Sequence, residues 1–121
     1  MPFEIKKTMT YPQPFEVVYR AAYLTIQELG GKVIKHDLSN KQLFGQMDKK
    51  FQGRLLGDRS QLEMTFSQDT QGSTVLSIYA YPLNAVGQKL MFGARQGVVE
   101  TVLAGFFSEV ASKLAAQTAG G

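Results

Sequence analysis

The sequence contains no cysteine, which excludes disulfides, thiol nucleophiles and thiolate metal sites together. It has one histidine, His36, too few for the clustered ligands that a zinc site needs. His36 stands beside Asp37 in a segment that reads as strand, and strand neighbours point to opposite faces, so the two cannot act together. No G-x-S-x-G elbow occurs, and one histidine is all that could serve as base for the serines. Twelve glycines are present, yet none falls in a G-x-G-x-x-G or Walker pattern. Carboxylates are scattered. Glu63 falls mid-strand on an outward face, Asp69 in a turn, and Glu100 and Glu109 off the apolar stripe of the last helix, so paired acid–base chemistry lacks its residues. The sequence thus offers no catalytic constellation and implies no cofactor or metal ion; a non-enzymatic protein is expected.

Long apolar runs are also missing. No stretch approaches the roughly 18 apolar residues that a membrane span requires. The start, Met1 to Lys7, has no apolar core of the kind a secretory signal carries. Together with the absence of cysteine this leads to the expectation of a cytoplasmic protein. Hydrophobic residues make up 44% and charged residues 19%, a balance that excludes wholesale disorder. With 121 residues the chain suits a single domain, residues 1–121, able to bury a core without covalent staples. A net charge of +3 permits an anionic partner without requiring one.

What is present is periodicity. Met1 to Tyr11 alternates and reads as a half-buried strand, interrupted on its apolar face by Lys7. Pro12-Gln13-Pro14 ends it and opens a helix over 13–29 with Phe15, Val18, Tyr19, Ala22, Ile26 and Leu29 on one stripe. Gly30-Gly31 stops that helix. Strands follow at 32–38 and 42–48, separated by Ser39-Asn40-Lys41; Gly45 marks a bulge or a close backbone approach. Ser60–Gln68 and Ser73–Tyr81 form a hairpin across Asp69–Gly72, with Pro82 expected to end the second strand. A loop runs to Arg95, and a helix over 95–117 presents Val99, Val102, Leu103, Phe106, Val110 and Leu114, with residues 118–121 expected to fray.

The expected fold is therefore α+β, in the order β-α-β-β-β-β-α: a curved antiparallel sheet with two helices on one face, since both apolar stripes need the same covering. As an order of elements this resembles the helix-grip and TATA-binding-protein-like group, which includes the START and birch-allergen-like lipid-binding domains. The segment Val17–Asp48, VVYRAAYLTIQELGGKVIKHDLSNKQLFGQMD, is similar to small bacterial domains of unknown function with the same order. The resemblance implies the fold and, in its lipid-binding branch, a pocket between sheet and long helix. For such a pocket Tyr79, Leu62, Phe66 and Phe106 are the candidate lining.

Following the strands of a meander places loops 49–59 and 82–95 and the Gly30-Gly31 corner at one end of the sheet. Both loops mix cations, glycine and bulky apolar groups: KKFQGRLLGDR and KLMFGAR. Lys49, Lys50, Phe51, Arg54, Arg59, Lys89, Phe92 and Arg95 are accordingly candidate contacts for an anionic partner, either a protein face or a membrane surface. Phe51 and Phe92 are too few for a stacking platform, so nucleic acid is not the expected partner. A homo-oligomer formed through a free edge strand, Met1–Tyr11 or Lys32–Leu38, is compatible with this fold.

Overall fold

Helix α1, Phe15–Glu28, forms where apolar residues recur at helical spacing, and Phe15, Val18, Tyr19, Ala22 and Ile26 are buried as that spacing predicts. It starts at Pro14, whose missing N–H costs nothing there, and stops where Gly30 takes a φ of +82°. Residues 4–90 and 97–120 are described by this computed structural model. Within them β1 is Ile5–Tyr11, β2 Lys32–Asp37, β3 Gln42–Met47, β4 Lys50–Phe51, β5 Arg54–Leu55, β6 Arg59–Gln68 and β7 Thr74–Leu83. Helix α2 spans Val98–Gly120, passing beyond the expected end at 117.

Five strands form one antiparallel sheet in the order β1-β7-β6-β3-β2, while β4 and β5 pair only with each other. That small hairpin was not expected; the rest follows the predicted β-α-β-β-β-β-α order. Leu43, Met47, Leu62, Met64, Phe66, Leu76, Ile78 and Ala80 all face one side of the sheet. They join the stripes of α1 and α2 in a single core. Both helices therefore lie on one face in a helix-grip-like arrangement, and they are linked by Lys113 of α2, which pairs with Glu28 of α1.

Two local features set the detail. Gly45 of β3 lies where an added Cβ would come within 2.7 Å of Ile26 Cδ1, so the helix packs directly on backbone there. Opposite it, β2 bulges between Val33 and Lys35. Pro82 does not end β7 as expected. It pairs with Ser60 of β6, and its carbonyl accepts from the Leu90 N–H. The amide side of a strand residue faces the same way as its carbonyl, so the missing N–H points away from β6, to the flank where Leu90 lies, and no bond of the β6–β7 ladder is lost.

The registers Lys32↔Gln46, Met47↔Ser60 and Ser60↔Pro82 bring loops 49–59 and 82–90 and the Gly30-Gly31 corner to one pole. The other pole carries the Asp37–Gln42 and Gln68–Thr74 turns. β1 and β2 are the edges of the sheet.

Candidate functional site

The β4–β5 hairpin stands at the first pole because its sequence contains its own turn. Gln52 and Gly53 both take positive φ, 50° and 79°, as a two-residue turn of the primed type requires. Phe51 then swings inward. It is 1% exposed and joins the core. The contact is made possible by Gly105 of α2, where an added Cβ would lie 2.8 Å from the Phe51 ring atoms Cε2 and Cζ. The hairpin is thus pinned to the long helix by one aromatic ring. A further bond from the Leu56 N–H to the Lys49 carbonyl, 2.6 Å, closes its base.

With Phe51 turned in, Lys50 and its cross-strand partner Leu55 take the outward face of the hairpin. Arg54, opposite Phe51, and Lys49 at the base are exposed as well, and none of the three cationic side chains forms an ion pair among the described residues. Leu55 beside them is 75% exposed. The sequence singles out Phe51 as the apolar contact of this loop; the structure buries Phe51 and exposes Leu55.

The remaining candidates divide. Arg59 is held by Gln46 Oε1 at 3.3 Å and by the carbonyls of Asn84 and Ala85 at 3.1 Å each. It ties the 82–90 turn to the sheet and is not a free cation. Lys89 pairs with Glu4 and donates to the Tyr79 hydroxyl on the helix-free face. Those bonds hold the Lys89 amine well above its usual pKa, and Lys89 and Tyr79 hold the Glu4 carboxyl below its own. Phe92 and Arg95 lie outside the described residues.

The residues proposed for an apolar pocket do not share a space. Leu62, Phe66 and Phe106 are buried in the core, whereas Tyr79 projects from the opposite face of the sheet, one position out of phase with Ile78 and Ala80. On that open face Tyr79 packs against Tyr81, and the Tyr81 hydroxyl donates to Glu63 Oε2 at 2.6 Å. Burial, reinforced by the Glu63 carboxylate, pushes the Tyr81 phenol far above its usual pKa. Phase alone, read along β7, separates Tyr79 from the core positions.

His36 is fixed by its neighbours. Tyr19 lies 2.7 Å from His36 Nδ1 and donates to the Gln42 carbonyl at 3.0 Å. Tyr23 packs edge-on against the same ring. Among the described residues no three His, Asp or Glu side chains gather to hold a metal ion. Nor is any helix there long and apolar enough to cross a membrane.

No family profile and no curated protein matches the sequence. Solved structures do. The adenylate sensor from AMP-activated protein kinase, determined with 5-aminoimidazole-4-carboxamide ribofuranotide, superposes with a TM-score of 0.59 at 11% identity. That match covers 86% of this chain and 94% of the other. Protein CV1439 from Chromobacterium violaceum gives 0.48 at 18% identity over 97% of each chain. Ara h 8.0201 gives 0.47 at 10% identity over 93% and 97%. At these identities the likeness is one of fold, carried by the first of the three, and the ligand of the sensor is that protein's own.

Proposed function

We propose that this protein is a non-enzymatic binding module that attaches to anionic phospholipid headgroups through the β4–β5 hairpin. One observation carries the reading: a hairpin pinned by Phe51 presents three unpaired cations, Lys49, Lys50 and Arg54, around the exposed Leu55. Solvent alone gives no reason to present a leucine among lysines and an arginine. A headgroup layer gives one, because the cations pair with phosphates while the leucine enters the acyl boundary. Each cation near such a surface contributes about 1 kcal/mol and one inserted leucine about 1.5 kcal/mol. The sum, about 4.5 kcal/mol, corresponds to a dissociation constant of roughly 0.5 mM, a weak and reversible attachment.

Co-sedimentation with vesicles tests this. Binding is expected to vesicles containing phosphatidylserine, to fall steeply with added salt, and to be absent on pure phosphatidylcholine. Lys50→Glu with Arg54→Glu should abolish it, and Leu55→Ala should weaken it several-fold, both without altering the melting temperature. Equal binding by the double variant, or none to the anionic vesicles, refutes the reading. An acidic protein recovered in their place would point to a different class of partner.

A further inference from the structure

We infer that the free edge of β2 is a docking surface for a second copy of this chain. The copy pairs antiparallel about a twofold axis that sets His36 opposite its own equivalent. β2 is bonded to β3 on one side only. Six large apolar side chains are exposed among the described residues, and three of them belong to this edge or border it: Ile34 at 43% in the bulge of β2, Leu38 at 55% just past its end, and Leu24 on α1. Leu24 and Leu38 line one shallow groove with Tyr23 and His36 on the helix side of the strand. A strand edge flanked by exposed leucine and isoleucine is a template for pairing.

The register selects the occupant. With His36 facing His36, Ile34 of each copy lies opposite Leu38 of the other, and Lys35 opposite Asp37. Symmetry makes each pairing twice. Lys35 and Asp37 share the open face, because their partners on β3 are Phe44 and Gln42. Neighbouring registers lose this match. Centring on Lys35 or on Asp37 sets like charges against each other, and a shift of one residue puts Ile34 against Asp37. Of these registers, the one centred on His36 joins apolar to apolar and cation to anion at once. Ile34 is the bulged residue and Leu38 follows the end of β2, so the regular pairing is limited to Lys35–Asp37, with Ile34 and Leu38 as its flanks. The other edge, β1, carries Lys6 and Lys7 and no acidic residue within the strand, so no register about a twofold gives it a cation–anion match. The twofold sends the two β4–β5 hairpins to opposite ends of the extended sheet, so this contact is independent of the membrane reading.

So short an interface sits at the low end of specific contacts, with a dissociation constant on the order of micromolar. Sedimentation velocity from about 1 to 500 μM should show a concentration-dependent dimer. Lys35→Asp replaces both ion pairs with repulsion and should raise the dissociation constant about tenfold or more. Asp37→Lys should do the same, and Lys35→Asp with Asp37→Lys should return it to within about threefold of the original. Asp37 also accepts from the Asn40 backbone N–H at 3.1 Å and side-chain amide at 2.8 Å, so each variant is checked by thermal melting. Leu38→Lys offers a test that leaves that turn intact. A monomer throughout the range overturns the proposal, as does a dimer indifferent to Leu38→Lys. Failure of the exchanged pair to restore dimerisation, with the fold intact, overturns it too.

Discussion

Truncating Phe51 to alanine should cost more stability than any change of a loop residue would suggest. Phe51 is almost wholly buried, at 1% exposure, and its ring fills the space left by Gly105. Removing a buried phenylalanine loses transfer free energy and leaves a cavity, typically about 3–5 kcal/mol. The hairpin can settle partly onto α2, which favours the lower end, about 3 kcal/mol. With a urea slope of about 1.5 kcal/mol per molar for a small domain, the midpoint should fall by about 2 M at constant slope. Leu55→Ala, at a 75% exposed position, should stay within about 0.5 kcal/mol. Equilibrium unfolding followed by circular dichroism reads both. The refuting pattern is specific: a small loss at Phe51 with a large loss at Leu55 would mean that the hairpin turns its other side to the helix. Phe51→Leu, expected to cost about 1 kcal/mol, keeps the measurement accessible if the alanine variant falls close to the roughly 5–15 kcal/mol limit of the whole fold.

Further predictions concern the sheet. Gly45→Ala should destabilise by about 1–3 kcal/mol through contact with Ile26 Cδ1, and Ile26→Val, which deletes that atom, should make the double variant at least about 1 kcal/mol better than the sum of the singles. The Glu4 carboxyl is held below its usual 4.5, chiefly by its bond from Lys89, so its contribution is present above that value and lost as pH falls through the lower, folded-state value. Glu4→Gln should therefore lower the melting temperature at neutral pH, and the difference from the parent should close under acid conditions. A gap that persists unchanged at pH of about 2 would rule the ion pair out as its cause.

Much of this architecture was legible in the residues. The stripe Phe15–Val18–Tyr19–Ala22–Ile26 and its counterpart from Val99 to Leu114 repeat at the period of a helix, and all of them are buried. Alternation at Leu62, Met64 and Phe66 identifies the buried face of β6, and of the two readings of Gly45, a bulge or a close backbone approach, the structure shows the approach, with the bulge on the facing strand. Strands of two residues have no period to read, so β4 and β5 escaped. Pro82 misled because proline breaks a strand only where its absent N–H would have found a partner. The site was less legible still. Arg59 and Lys89 look like free cations in the sequence, but their partners lie as far away as Ala85 and Glu4.

By itself, then, the order of amino acids determined the elements, the face each one buries and the pole at which the basic loops gather, because periodicity and chain direction are local properties. Which of Phe51 and Leu55 turns inward and which lysines remain unpaired were decided only in three dimensions. Each of those outcomes depends on a group distant in the chain, Gly105 or Glu4. Such contacts exist only once the helices have closed on the sheet.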